Sequence, residues 1–197
     1  MKLVSRIAGV DEVGRGALFG PVVAAAVVVP DSVIASLLSS GVTDSKKLSA
    51  PKRARLAVQI RQMTSVGVGL ATAYEIDRLN ILQASLLAMR RAVFQLAPLP
   101  RKCLIDGNQQ IPNLPMEQET VVKGDQSVQA IAAASIVAKV WRDELIVRLE
   151  RHYPGYDLAA NKGYGSAKHI AGIVQLGVCR QHRKSFRTCY DRPHRSK

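Results

Sequence analysis

Residues 7–29 read IAGVDEVGRGALFGPVVAAAVVV. Two apolar runs flank a glycine-bearing turn. They predict a hairpin that opens a sheet, with one strand over residues 4–10 and a second over 22–29. The second is apolar enough to be central and buried. Asp11 and Glu12 close the first strand, and Gly14-Arg15-Gly16 follows at once. An acid pair at a strand end beside exposed backbone N–H groups suits a metal and a ligand that approaches closely. A plain hairpin turn uses the same residues. Neighbours in a regular strand point to opposite faces, so Asp11 and Glu12 share a metal only if the strand twists or ends between them. The glycines downstream permit that. A dinucleotide-binding loop is excluded. The glycines at 14, 16 and 20 have the wrong spacing, and a β-branched run follows in place of a helix.

The composition sets the partner. The chain has 197 residues, 28 Lys and Arg against 15 Asp and Glu, and a formal charge of +13. That surplus implies a polyanion, and nucleic acid is the expected one. No Lys/Arg-rich amphipathic helix with an aromatic face points to a membrane. No apolar run reaches transmembrane length, and the first residues lack the apolar core of a signal peptide. Three cysteines, Cys103, Cys179 and Cys189, form no C-x-x-C pair. They argue against a zinc site and for the reducing cytoplasm. The four histidines are scattered and read as surface or nucleic-acid contacts.

Further along, the pattern predicts helices over 32–40 and from Pro51 to Met63, a strand over 65–73, and a helix over 74–96. Strands follow at 103–105 and 119–122. A long helix spans 127–151, a glycine-rich loop 154–165 and a short helix 166–176. Trp141 and the other large apolar residues of the long helix read as core. Strands in a hairpin and then alternating with helices describe an α/β fold with a mixed sheet covered by helices. A single domain over residues 1–197 is expected, ending in a basic segment, 180–197.

Two more acids stand where a shared site needs them. Asp106 ends the fourth strand before Gly107, and Asp125 lies between the fifth strand and the long helix. Asp106 alone could be a turn acid, and Asp125 a helix cap. Together, hard oxygen donors without a His/Cys cluster suit Mg²⁺ or Mn²⁺. In a basic chain they fit a metal-dependent phosphodiesterase.

The motifs GVDEVGRG (9–16), LFGPVV (18–23), DSKKLS (44–49), IDGN (105–108), KGD (123–125), IAAASI (131–136) with Ala138-Lys139 and Arg142-Asp143, KGYG (162–165) and HRKSF (182–186) occur in one order across nearly the whole chain. In these the chain resembles ribonuclease HII. The resemblance implies a ribonuclease H-like fold with a five-stranded mixed sheet, flanking helices and a helical C-terminal region. It implies a metal-dependent endonuclease acting on RNA–DNA hybrids and on single ribonucleotides in duplex DNA, as in ribonucleotide excision repair. Such cleavage would leave 3′-hydroxyl and 5′-phosphate ends. By motif, Asp11, Glu12 and Asp106 would bind Mn²⁺ or Mg²⁺, and Asp125 would complete the catalytic set. Gly14, Arg15 and Gly16 would contact the ribose 2′-hydroxyl through backbone, and Tyr164 would pack on the sugar. Lys46, Lys47, Lys139, Lys162 and Arg183 would contact phosphate, or form a solvated basic face. Asp143 reads as the partner of a nearby base. Ser166, Asp157-Leu158 and Asn161 depart from residues common in the family. A monomer is expected. The alternative is a non-catalytic basic RNA- or hybrid-binding module. Ribonuclease HIII would need an N-terminal domain for which residues before the first motif leave no room.

Overall fold

The structure, a computed structural model, describes residues 6–42, 45 and 48–190. Lys46 and Lys47 therefore lie outside the described residues. Five strands form one sheet: β1 (Ile7–Val13), β2 (Val22–Val28), β3 (Ser65–Ala71), β4 (Lys102–Asp106) and β5 (Glu117–Val121). Their spatial order is β3-β2-β1-β4-β5. β1–β2 and β2–β3 pair antiparallel, while β1–β4 and β4–β5 pair parallel. The ends of β1, β3, β4 and β5 and the start of β2 thus share one edge of the sheet.

The helices are α1 (Asp31–Ser39), α2 (Ala50–Met63), α3 (Ala73–Phe94), α4 (Gly124–Ser127), α5 (Gln129–Glu150), α6 (Leu158–Asn161), α7 (Ala167–Leu176) and α8 (Arg187–Tyr190). α3 packs on one face of the sheet against Ala8, Val10, Ala24 and Ala26. α5 and α2 pack on the other, against Ala25 and Val27. The alternation is strict because side chains along a strand alternate between faces. Small residues on both partners bring helix and sheet close. A Cβ built on Gly9 would lie 2.1 Å from the backbone of Ala130 in α5. One on Gly67 would lie 2.1 Å from the Ala92 carbonyl of α3. A third cluster, with Phe19, Ile146, Tyr156 and Ile173, gathers the C-terminal elements onto the end of α5.

The predicted elements are present with shifted ends, and three details differ. β1 extends to Val13, so both acids lie inside the strand. The helix over 74–96 is kinked at Asn80 (φ 67°, ψ 166°). The Asn80 side chain accepts a hydrogen bond from the Gln83 amide at 3.1 Å and restarts the helix. The long helix begins at Gln129 after Val128, which supplies no side-chain cap; Asp125 belongs to the separate turn α4.

The contact of β1 with α5 is testable. Gly9→Ala should cost about 3 kcal/mol by overpacking, whereas Gly16→Ala, whose Cβ meets nothing within 4 Å, should stay within about 0.5 kcal/mol. Thermal melting of both variants checks this; equal Tm values would deny the close contact.

Candidate active site

The acids converge because β1 and β4 run parallel. Their register pairs Val10 with Ile105, so the next residue on each strand is Asp11 and Asp106. Neighbouring strands run about 4.8 Å apart. Asp11 faces the α5 side, where the Ser135 hydroxyl favours its charged form. Glu12, one residue on, borders a second hollow on the α3 side, beside Ser85, Leu86 and Met89. Both acids nevertheless line one cavity of about 430 Å³ with Asp106, Gly14, Arg15, Gly16, Ser45, Ser135, Lys139 and Tyr164. The strand ends at Val13, one residue after Glu12, and at that end both acids reach one cleft.

Among the described residues, the charged groups lining the cleft are Asp11, Glu12, Asp106, Arg15 and Lys139. Asp11 is only 6 % exposed. Its Oδ1 accepts from the Glu12 amide at 2.7 Å, and Ser135 Oγ lies 2.8 Å from Ser45 Oγ. Burial, then the charge on Glu12, pushes the Asp11 carboxyl well above the usual range. Asp106 adds to that, and Ser135 opposes it. Burial also raises Glu12, against the pull of Arg15. Arg15 Nη1 meets Glu12 Oε1 at 3.1 Å and is half exposed. Among the described residues no ion pair reaches Asp11. Three hard oxygen donors that repel one another fit a divalent cation such as Mg²⁺ or Mn²⁺. Among the described residues, no three His, Cys, Asp or Glu side chains are gathered closely enough to hold a metal ion as they stand; the three acids line one open cleft.

Asp125 is buried in the first turn of α4 and does not line that cavity. It is tied to the set through its neighbour, since the Gly124 amide donates to Asp106 Oδ1 at 2.7 Å. Lys139 lines the cleft, pairs with Asp143 at 2.8 Å and lies 5.7 Å from the Tyr164 ring centre. The expected partner of Asp143 is thus Lys139. Lys162 lies elsewhere, donating to the Ala159 carbonyl and bordering a groove between α2 and α5.

Arg183 is a correction. It has no exposed surface. Its Nε donates to Gly20 O at 3.0 Å and its Nη1 to Arg15 O at 2.8 Å. A guanidinium so enclosed offers no face to phosphate; it fastens the turn. Two of the histidines are corrected as well. His169 and His182 are buried, with Nε2 atoms 3.2 Å apart. Burial, with His169 beside it, pushes His182 down to about 3. Trp141 is half-buried on the flank of α5. Sequence reasoning gave no role to Ser135 or Arg142. The visible signal was a polar residue set in an otherwise alanine-rich or apolar helix face.

The profile of the ribonuclease HII family matches residues 8–189. A ribonuclease HII of Acaryochloris marina is 67 % identical over 185 residues, covering 93 % of each chain. One of Trichodesmium erythraeum is 61 % identical over 183 residues, covering 92 % of this chain and 87 % of the relative. Among solved structures, the ribonuclease H2 of Pyrococcus horikoshii OT3 superposes with a TM-score of 0.78 at 28 % identity, covering 93 % of this chain and 95 % of that one.

The crowded carboxylates predict a stability signature. The folded pKa of Asp11 lies above its unfolded value, so its ionisation destabilises the metal-free fold above the folded pKa. That cost vanishes below the unfolded pKa. In chelator, Asp11→Asn should therefore raise Tm at pH 7 by several degrees, about 2–4 °C per kcal/mol relieved, and the gain should shrink as pH falls to 4. A lower Tm at pH 7 would refute the strain.

Proposed function

The chain belongs to the ribonuclease HII family and is a ribonuclease H; from that membership and the cleft we propose that it cuts both continuous RNA–DNA hybrids and single ribonucleotides embedded in duplex DNA. The observation that carries the reading is the acid cleft and the glycine turn lining one cavity. Asp11, Glu12 and Asp106 would hold Mg²⁺ or Mn²⁺, with Asp125 completing the acidic set behind Asp106. The metal would supply a nucleophilic water and stabilise charge on the leaving oxygen. Attack on phosphorus with loss of the ribose 3′-oxygen leaves a 3′-hydroxyl and a 5′-phosphate.

The chain's own residues account for choosing RNA. The space beside Gly16 is empty where a side chain would begin. A ribose 2′-hydroxyl can therefore approach the turn's backbone, and that hydroxyl is what separates RNA from DNA. Gly14 has φ +89° and cannot carry a side chain without strain. Tyr164 lines the same cavity with Lys139 beside its ring, and would pack on the sugar. Arg15, Lys139, Lys46 and Lys47 are the proposed phosphate contacts, and the surplus positive charge of the chain supports them. Lys162 borders the neighbouring groove and would act only on duplex extending past the cleft. The Ser45–Ser135 hydroxyl pair orients the Asp11 carboxylate. Work inside the cytoplasm, as a monomer in ribonucleotide excision repair, completes the proposal; among the described residues no helix is long and apolar enough to cross a membrane.

Two outcomes test this. Asp106→Asn should lose about 1000-fold in kcat, roughly 4 kcal/mol of transition-state stabilisation, while still binding hybrid. Turnover near wild type in Mg²⁺ would overturn the assignment. Gly16→Ala and Tyr164→Ala should lose about 5- to 150-fold in kcat/KM on a duplex with one ribonucleotide, the value of one or two hydrogen bonds. Both should lose less on a long hybrid, which offers many registers. Equal losses on the two substrates would mean general positioning without junction reading.

A further inference from the structure

Arg142 lies in the middle of α5 and has no exposed surface. A buried guanidinium is costly unless its donors are used. Here all three nitrogens donate to backbone carbonyls: Nε to Pro21 O at 3.0 Å, Nη1 to Lys162 O at 2.8 Å and Nη2 to Phe19 O at 3.0 Å. Phe19 and Pro21 end the loop that begins with the glycine turn. Lys162 lies two residues before Tyr164. The guanidinium carbon stands 5.4 Å from the Tyr164 ring centre. A Cβ on Gly14 would come within 2.1 Å of its Nε. The nearest acid on α5, Asp143, is taken by Lys139.

One rigid fork therefore touches both walls of the cleft, the turn and the tyrosine loop, from behind. Further backbone bonds join the same segments, from the Leu18 amide to Gly163 O at 2.8 Å and from the Phe19 amide to the same oxygen at 3.2 Å. Those bonds fix loop to loop; the guanidinium fixes both loops to the helix that also carries Ser135 and Lys139. Lysine cannot copy the arrangement, because a point charge does not present planar donors to three carbonyls.

We infer that Arg142 is a positioning residue that sets the gap between the Gly14–Gly16 turn and the Tyr164 ring, and so sets the selectivity for a lone ribonucleotide over a continuous hybrid. The inference rests on the reading of the turn and Tyr164 given above. A lone ribonucleotide offers one 2′-hydroxyl in one register, so both walls must meet it at once. A displacement of about 1 Å at a reacting site costs on the order of 100-fold. A continuous RNA strand offers other registers and is less sensitive to the gap.

The experiment measures kcat/KM on both substrates for wild type, Arg142→Lys, Tyr164→Ala and the double variant. The ratio of the two values cancels the fraction of folded enzyme, so partial unfolding does not blur it. Arg142→Gln, which keeps donors without the charge, gives a second reading, with thermal melting for each. Arg142→Lys should lower the single-ribonucleotide to hybrid ratio about 10- to 100-fold. In the Tyr164→Ala background it should lower the ratio little further, because coupled residues are not additive. Equal losses on both substrates from Arg142→Lys and Arg142→Gln, with Tyr164→Ala still losing more on the single ribonucleotide than on the hybrid, overturn the inference alone. The same fall in ratio with and without Tyr164 also overturns it. A Tyr164→Ala that loses equally on both substrates overturns the underlying reading and the inference with it.

Discussion

Three carboxylates at the ends of two adjacent parallel strands repel one another, and the rest of the structure holds them together in spite of it. Parallel pairing puts Asp11 and Asp106 next to each other. Burial under α5 removes the water that would screen Asp11. Burial first, and the neighbouring carboxylates after it, raise the Asp11 and Glu12 carboxyls above their ordinary range. Such a site is unfavourable to folding, and the divalent cation proposed for it would relieve the strain.

The glycines and alanines answer a geometric demand of the same site. Gly9 lets α5 close on β1 at backbone distance, which carries Ser135 up to Asp11 and Lys139 into the cleft. Across the cleft, two buried arginines add polar anchors beside the apolar cluster of Phe19, Ile146 and Tyr156. Arg183 grips the turn at Arg15 and Gly20, and Arg142 grips its far end and the Tyr164 loop. One wall is thus built of packed small residues and the other of charge-assisted bonds to carbonyls, which fix distance and direction together.

Much of this was legible in the chain. Asp11, Glu12 and Asp106 each follow an apolar run and precede a glycine, a pattern that local sequence carries by itself. The strands and helices followed from periodicity, though apolar spacing continues through Asn80 and hides the kink. What could not be read depends on partners far away in sequence. The carbonyls that enclose Arg183 come from residues 15 and 20, so nothing near 183 marks it as buried. A lone histidine carries no local sign of burial, and His169 and His182 are buried only because the C-terminal elements bring them to each other. Asp125 occupies a single turn whose separation from α5 leaves no periodic trace.

The most direct test of the carboxylate cluster is thermal melting with Mn²⁺ titrated at pH 7 into wild type and Asp106→Asn. Wild type should gain stability as the metal binds, about 2.7 kcal/mol at a hundred times the Kd, and Asp106→Asn should gain far less over the same range. An equal rise of Tm in both proteins would show that the metal binds elsewhere and that these acids do not hold it.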